Sequence, residues 1–362
     1  MDKLIPTYTD ISNWNVNVYQ STGGTRSKII TTPLNTNTEY FFKGSKVTEL
    51  DEIKYPLEFW SEIISSKVGQ LLGFKMLDYN IAYRESEFQK IGCLSASMVE
   101  HSQNKLTEGV TYLTGFKPSY RPSLKEHQKQ YTFQFICAAL NKFGLEKHID
   151  NIIEIIIFDS IIGNSDRHQE NWGIITYFKD AILNIDVILE KEKLVFKDRV
   201  MFKLVKFLVK ALSNYHGASK LIEKITLELQ KDIAPHGFAP IYDSGCCFGR
   251  ELEPERVSKM LDDKQMLEAY VNKGESEIHW EGNPKKLKHF DLLKLVKQDY
   301  DKLVTKRIAE VKSNIDLKKI EKLIQQIDIN LPEQLKDYKL PDDRKELIVK
   351  ILTLRLEKLQ TI

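Results

Sequence analysis

No stretch of this sequence stays apolar long enough to cross a bilayer. The longest candidate, residues 152–162, is too short and carries Glu154 and Asp159. The N-terminus, Met1-Asp2-Lys3-Leu4-Ile5-Pro6, lacks the apolar centre of a secretory signal. Cysteine is scarce, with Cys93, Cys137, Cys246 and Cys247 the only four in 362 residues. None of their spacings matches a zinc site, and the vicinal pair does not readily form an ordinary disulfide. A reducing compartment is expected, the cytoplasm, with export by a route that needs no cleavable signal as the alternative. Charge of one sign is missing too. The 53 Lys and Arg residues nearly cancel the 51 Asp and Glu, leaving +2, so composition carries no nucleic-acid signal and no membrane signal. The sequence shows no internal repeat and no low-complexity segment.

What is present is the content of an ordinary globular chain, 42% hydrophobic and 29% charged, long enough for two or more buried lobes. Residues 1–100 read as mostly β with one main helix. Asn15 to Tyr19, Ile29 to Thr32 and Glu39 to Lys43 read as strands, the first two forming a hairpin around Gly23-Gly24. From Leu57 to Leu72 apolar residues recur at three and four, as on an amphipathic helix. Strands are expected near Asp78–Tyr83 and Ile91–Val99, and residues 100–125 read as a polar linker. Helices follow over Tyr131–Leu145 and His148–Ile162, with Gly163 as the C-cap. Trp172–Phe178 and Ala181–Leu189 look strand-like. The lysine-rich residues 194–231 suggest one or two helices whose charge reads as a solvated face rather than a binding surface. Beyond Glu251 the chain is helical and highly charged.

Between the apolar helix ending at Ile162 and the strand starting at Trp172 lies a dense polar segment, Gly163-Asn164-Ser165-Asp166-Arg167-His168-Gln169-Glu170-Asn171. Polar groups beside a core cost stability unless they are paired or bind something. A carboxylate that takes a hydroxyl proton, followed five positions later by an amide that holds Mg²⁺, is a spacing used in phosphoryl transfer, and Asp166 and Asn171 have it. A second hard ligand is needed, and Asp243, in Asp243-Ser244-Gly245, suits the role. Lys43, at the end of an apolar strand, is a candidate cation for nucleotide phosphates. Glu62 is placed to orient it, with Glu58 one turn earlier as the rival. Gly23 and Gly24 offer a phosphate-covering turn, with Arg26 or Lys28 adding charge.

These segments together resemble the HipA-like family of bacterial Ser/Thr protein kinases, whose active-site layout also resembles phosphatidylinositol 3- and 4-kinases. The residues that carry the resemblance are Gly23-Gly24-Thr25-Arg26-Ser27-Lys28, Lys43, Ser61-Glu62, Ile162 through Asn171, and Asp243-Ser244-Gly245. The resemblance implies an α+β, two-lobed protein-kinase-like fold. Residues 1–100 would form a β-rich N-lobe with one main helix, and residues 101–362 a mostly helical C-lobe with a helical insertion at about 194–231. It implies ATP, with Mg²⁺ or Mn²⁺, as cofactors. Asp166 would be the general base, His168 and Asn164 would brace the loop, and Asn171 and Asp243 would hold the metal. Ser97, Met98, Val99 and Glu100 would receive adenine at a hinge. HipA toxins generally carry a further N-terminal subdomain, whereas about 14 residues precede the first expected strand here. An antitoxin-type partner is therefore not expected, and a compact, free-standing kinase is.

Each assignment has a plainer rival. The 163–171 segment would otherwise be a hydrogen-bonded connection, Lys43 a surface lysine, Glu62 a solvated helix residue and Gly23-Gly24 a simple turn. His236, between Pro235 and Gly237, reads as loop structure, and Cys246 and Cys247 as buried thiols. The acceptor is expected to be a protein hydroxyl, with autophosphorylation at Ser21, Thr22, Thr25 or Ser27 near the Gly-rich turn. The alternatives are a phosphoinositide kinase, or a kinase-fold interaction module without transfer activity.

Overall fold

The computed structural model describes residues 2–17, 28–45, 53–86, 90–100, 102–190, 195–213, 220–232, 234–283 and 285–362. The chain forms two compact units that interleave along the sequence. The first holds residues 1–97, 152–168 and 240–362, and the second 98–151 and 169–239. This grouping differs from a single division near residue 100, because the chain leaves each unit and returns to it.

In the first unit, strands β1 (Tyr8–Asp10), β2 (Asn15–Asn17), β3 (Lys28–Thr32), β4 (Tyr40–Lys43), β5 (Asn80–Tyr83) and β6 (Ile91–Ala96) make one sheet in the order β1-β5-β6-β4-β3-β2. The expected pairing of the second and third strands holds, with Asn15 opposite Thr32 and Asn17 opposite Ile30. The Gly23-Gly24 turn and Arg26 lie outside the described residues. One strand, β1, precedes the first one expected and pairs parallel with β5. Phe42 packs with Ile11, Ala82 and Leu94, so alternation turns Lys43 to the opposite face of β4.

That face meets α1 (Glu58–Leu71), which is buried far beyond the apolar stripe predicted for it. Its polar residues consequently need partners. Ser66 Oγ donates to the Leu77 carbonyl at 2.7 Å, and Lys67 Nζ pairs with Asp78 Oδ1 at 2.6 Å.

The second unit contains β7 (Asn104–Glu108), α2 (Gly109–Phe116), α3 (Lys125–Gln128) and α4 (Phe133–Lys142). Residues 104–116, expected to be linker, are thus strand and helix: β7 pairs with a later strand, and that pairing is invisible locally. Helix α5 (Ile149–Ile162) leads from this unit into the first. Strand β8 (Gly173–Tyr177) follows, then α6 (Phe178–Leu189), α7 (Phe196–Ser213), α8 (Lys220–Asp232) and β9 (His236–Phe238). The sheet order is β7-β8-β9.

Ala181–Leu189 is helix, not strand. Its β-branched residues favour a strand locally, but Phe178, Ala181 and Ile185 recur at three and four and enter one core with Val209, Leu212 and Leu229. Helices α9 (Pro254–Asp262), α10 (Lys264–Lys273), α11 (His289–Asp299), α12 (Asp301–Asn314), α13 (Leu317–Gln325) and α14 (Asp342–Gln360) complete the first unit. Leu347 and Ile351 of α14 pack with Val257, Met260, Leu267 and Val271. Among the described residues, no helix is long and apolar enough to cross a membrane.

Candidate active site

Lys43 is buried at the end of β4, and its Nζ contacts both Glu62 Oε1 on α1 and Asp243 Oδ1. Gly92 lets the next strand close on it, since a Cβ there would lie 2.4 Å from the Lys43 carbonyl oxygen. The two candidate partners for this lysine are now distinguished. Glu58 pairs instead with Arg250, Oε1 to Nη1 at 2.6 Å, while Glu62 takes Lys43. The other Glu62 oxygen accepts from the Ser244 amide at 2.8 Å. One buried carboxylate thereby ties the lysine to the Asp243-Ser244-Gly245 turn. Asp243 has φ +55°, a left-handed conformation that Asp tolerates better than most residues. Lys28, the first residue of β3, reaches Asp243 Oδ2 at 3.4 Å. Strand and turn thus place two lysines on one carboxylate.

The Asp166 segment is braced from below. Gly163 ends α5 at φ +72°, its amide donating to the Asp159 carbonyl at 2.8 Å. A Cβ there would sit 2.8 Å from the Arg355 guanidinium of α14. Asp159, one turn earlier, is the anchor. Its carboxylate accepts from Asn164 Nδ2 at 3.1 Å and from Arg167 Nε and Nη2 at 3.0 and 2.9 Å. Arg167 also donates to the Tyr242 carbonyl at 2.6 Å and to Ser244 Oγ at 2.9 Å. The Asp166 segment and the Asp243 turn are therefore clamped together by one guanidinium. Asn164 Oδ1 in turn accepts from the Asp166 amide at 3.4 Å. His168 is half-buried at the end of this first-unit segment.

Three participants were missed from sequence. Asp159 and Arg167 both lay in plain view, but an acid eight residues before an arginine has no helical contact spacing. The third, Cys246, lies with Sγ 3.2 Å from Asp166 Oδ2, and Arg250 Nη2 donates to the same sulfur at 3.0 Å. Cys247 is the buried thiol expected of it, and burial, reinforced by nearby Glu62, pushes it well above the usual thiol range.

The remaining expected residues belong to the second unit, apart from Ser97. Ser97 ends the first unit's opening segment, its amide donating to the Glu39 carbonyl at 2.8 Å, and Met98, Val99 and Glu100 begin the second. The four thus stand where the chain passes between units. Asn171 is buried in the second unit beside Trp172. The Trp172 ring stacks on Phe238 with an interplanar angle of 3°, and its Nε1 donates to the Tyr131 hydroxyl at 3.0 Å. The amides of Val110 and Gly109 donate to the carbonyls of Gln169 and Trp172, so both ends of Gln169–Trp172 are fixed in that unit.

In chemical terms, the first unit assembles an ammonium, two carboxylates around it, and a third carboxylate, Asp166, on a rigid loop. No group of three or more His, Cys, Asp or Glu residues suited to a metal ion occurs among the described residues. No protein-family model and no curated protein matches the chain. Among solved structures, the chain is similar to the crystal structure of a Helicobacter pylori proinflammatory kinase, CtkA. The TM-score is 0.67 at 18% identity, over 98% of this chain and 97% of that one. The α+β fold of this chain is thus a kinase-like fold.

Proposed function

We propose that this protein is an ATP-dependent kinase of the HipA-like type that phosphorylates Ser and Thr hydroxyls of proteins, its own chain included. The observation that carries the proposal is the double engagement of Lys43 by Glu62 and Asp243. A buried ammonium is costly unless paired, and one held between two carboxylates is poised to trade one of them for a phosphate. The similarity in fold to a kinase supports the same conclusion.

In this mechanism Glu62 keeps Lys43 aimed, and Lys43 and Lys28, with the Gly23-Gly24-Arg26 segment, neutralise the nucleotide phosphates. Asp166 accepts the proton of the attacking hydroxyl as its oxygen bonds to the γ-phosphorus and the bond to ADP breaks. Most of the rate enhancement comes from positioning and charge stabilisation. The donor chemistry suits a hard divalent cation, because Mg²⁺ takes few protein oxygens and completes its shell with phosphates and water. Asp243 would hold it, and Mg²⁺ or Mn²⁺ would offset phosphate charge. Ser97, Met98, Val99 and Glu100 would receive the adenine, and His168 would brace the loop.

The test is phosphate transfer from Mg-ATP by the wild type and by Asp166→Asn, read by mass spectrometry, with the chain itself, generic protein acceptors and phosphoinositides as separate arms. Protein or self phosphorylation lost in Asp166→Asn supports the proposal, above all at Ser21, Thr22, Thr25 or Ser27. Transfer to phosphoinositides alone overturns the protein-kinase assignment, and no transfer to any acceptor leaves an interaction module.

A further inference from the structure

Helix α7 carries three sectors along its length. Phe202, Val205, Val209 and Leu212 pack into the core shared with α6. A second apolar row, Phe196, Val200, Leu204 and Phe207, recurs at helical spacing on the outside, with Phe196 81% and Phe207 68% exposed. Met201 and Leu208 widen it. Beside it, at the same spacing, runs a basic row of Arg199, Lys203, Lys206 and Lys210. One apolar sector is enough to fold a helix onto its protein, so the second is not needed for that packing. The solvated face expected of this insertion accounts for the basic row but not for the second apolar one.

Charge is concentrated here as well. The helix has five basic residues and one acidic residue, in a chain whose net charge is only +2. Lys206 is tied to Asp186 of α6. Leu183 and Val187 are exposed on α6 itself.

We propose that this outer face of α7 docks on the surface of an anionic lipid bilayer. A straight apolar row beside a parallel basic row, roughly 16 Å long, matches the two layers of a bilayer interface. Phenylalanine and leucine enter the boundary with the acyl chains while the lysines and Arg199 meet phosphate and carboxylate headgroups. The apolar row follows one line along a helix, whose rounded surface a fluid bilayer accommodates over its whole length. The helix lies on the surface and does not span it, in keeping with its charges. This inference does not depend on phosphoryl transfer.

The experiment is co-sedimentation of the full chain with phosphatidylcholine vesicles, with and without admixed phosphatidylserine. It compares the wild type with Phe196→Ser/Phe207→Ser and with Lys203→Glu, each first matched to the wild type by circular dichroism. The wild type should bind only the phosphatidylserine vesicles and lose binding as salt rises. The double serine variant should bind about tenfold more weakly or less, and Lys203→Glu more weakly than the wild type. No binding to anionic vesicles overturns the proposal, as does binding that the serine variant retains. So does a concentration-dependent dimer that the serine variant abolishes in the absence of any vesicle binding, which would assign the face to a second copy of the chain.

Discussion

Arg167 grips Asp159 through two parallel hydrogen bonds, Nε to Oδ2 and Nη2 to Oδ1, both partners being buried. The two-pronged geometry needs a planar guanidinium, and the remaining donors of the same group reach the backbone just before Asp243 and the side chain just after it. Replacing Arg167 with Met removes the clamp and leaves the Asp159 charge without its cation. Stability should fall by about 3–5 kcal/mol, and Arg167→Lys should recover only part of it. Chemical denaturation of the three proteins checks this, and an unchanged midpoint in Arg167→Met would show that the clamp contributes nothing.

Glu62 and Glu58 sit one turn apart on α1 with different partners, so their amide variants should separate. Glu62→Gln weakens the hold on Lys43 and should lower phosphoryl transfer about 100-fold. Glu58→Gln acts on Arg250 and should mainly lower the melting temperature. Steady-state kinetics beside thermal denaturation distinguishes the two, and equal kinetic losses would contradict the assignment.

Gly163 should tolerate no side chain. Its φ of +72° strains any other residue, and a Cβ would meet the Arg355 guanidinium. Gly163→Ala should cost about 1–3 kcal/mol. In an Arg355→Met background the steric share should shrink, giving a coupling above about 0.5 kcal/mol in a double-mutant cycle. Burial pulls Arg355 down to about 10.

His236 gives the second unit a dependence on pH. Burial first, then Lys147 and His148, pull it from the ordinary 6.5 to about 4, and its Nδ1 lies 3.0 Å from His148 Nε2. Between those values the unfolded chain binds more protons than the folded one, so stability is fully present above pH 6.5 and falls as pH drops toward 4. Urea midpoints at several pH values should show that slope in the wild type and a shallower one in His236→Gln. Identical slopes would refute it.

Periodicity carried much of this fold. The apolar spacing of residues 57–72 predicted α1 to within about a residue, and the apolar run before Gly163 predicted α5. The same kind of signal failed over Ala181–Leu189, where isoleucine and valine favour a strand locally and only the core shared with Val209 and Leu229 selects the helix. It failed again at 104–108, a strand whose polar sequence is held by pairing with β8.

In the site, sequence by itself determined the residue types and their order: a lysine closing a strand, a glutamate on the next helix, an Asp166–Asn171 segment after a glycine, and an aspartate before Ser244-Gly245. Those follow from local chemistry and short spacings. Tertiary structure decided which charges meet. It gave Lys43 to Glu62 rather than Glu58, made Asp159 and Arg167 the brace, and brought Cys246 against Asp166. Such pairings join residues up to 215 positions apart. They are fixed by which buried polar groups must find partners once the helices and strands have packed, a condition that no local stretch of sequence contains.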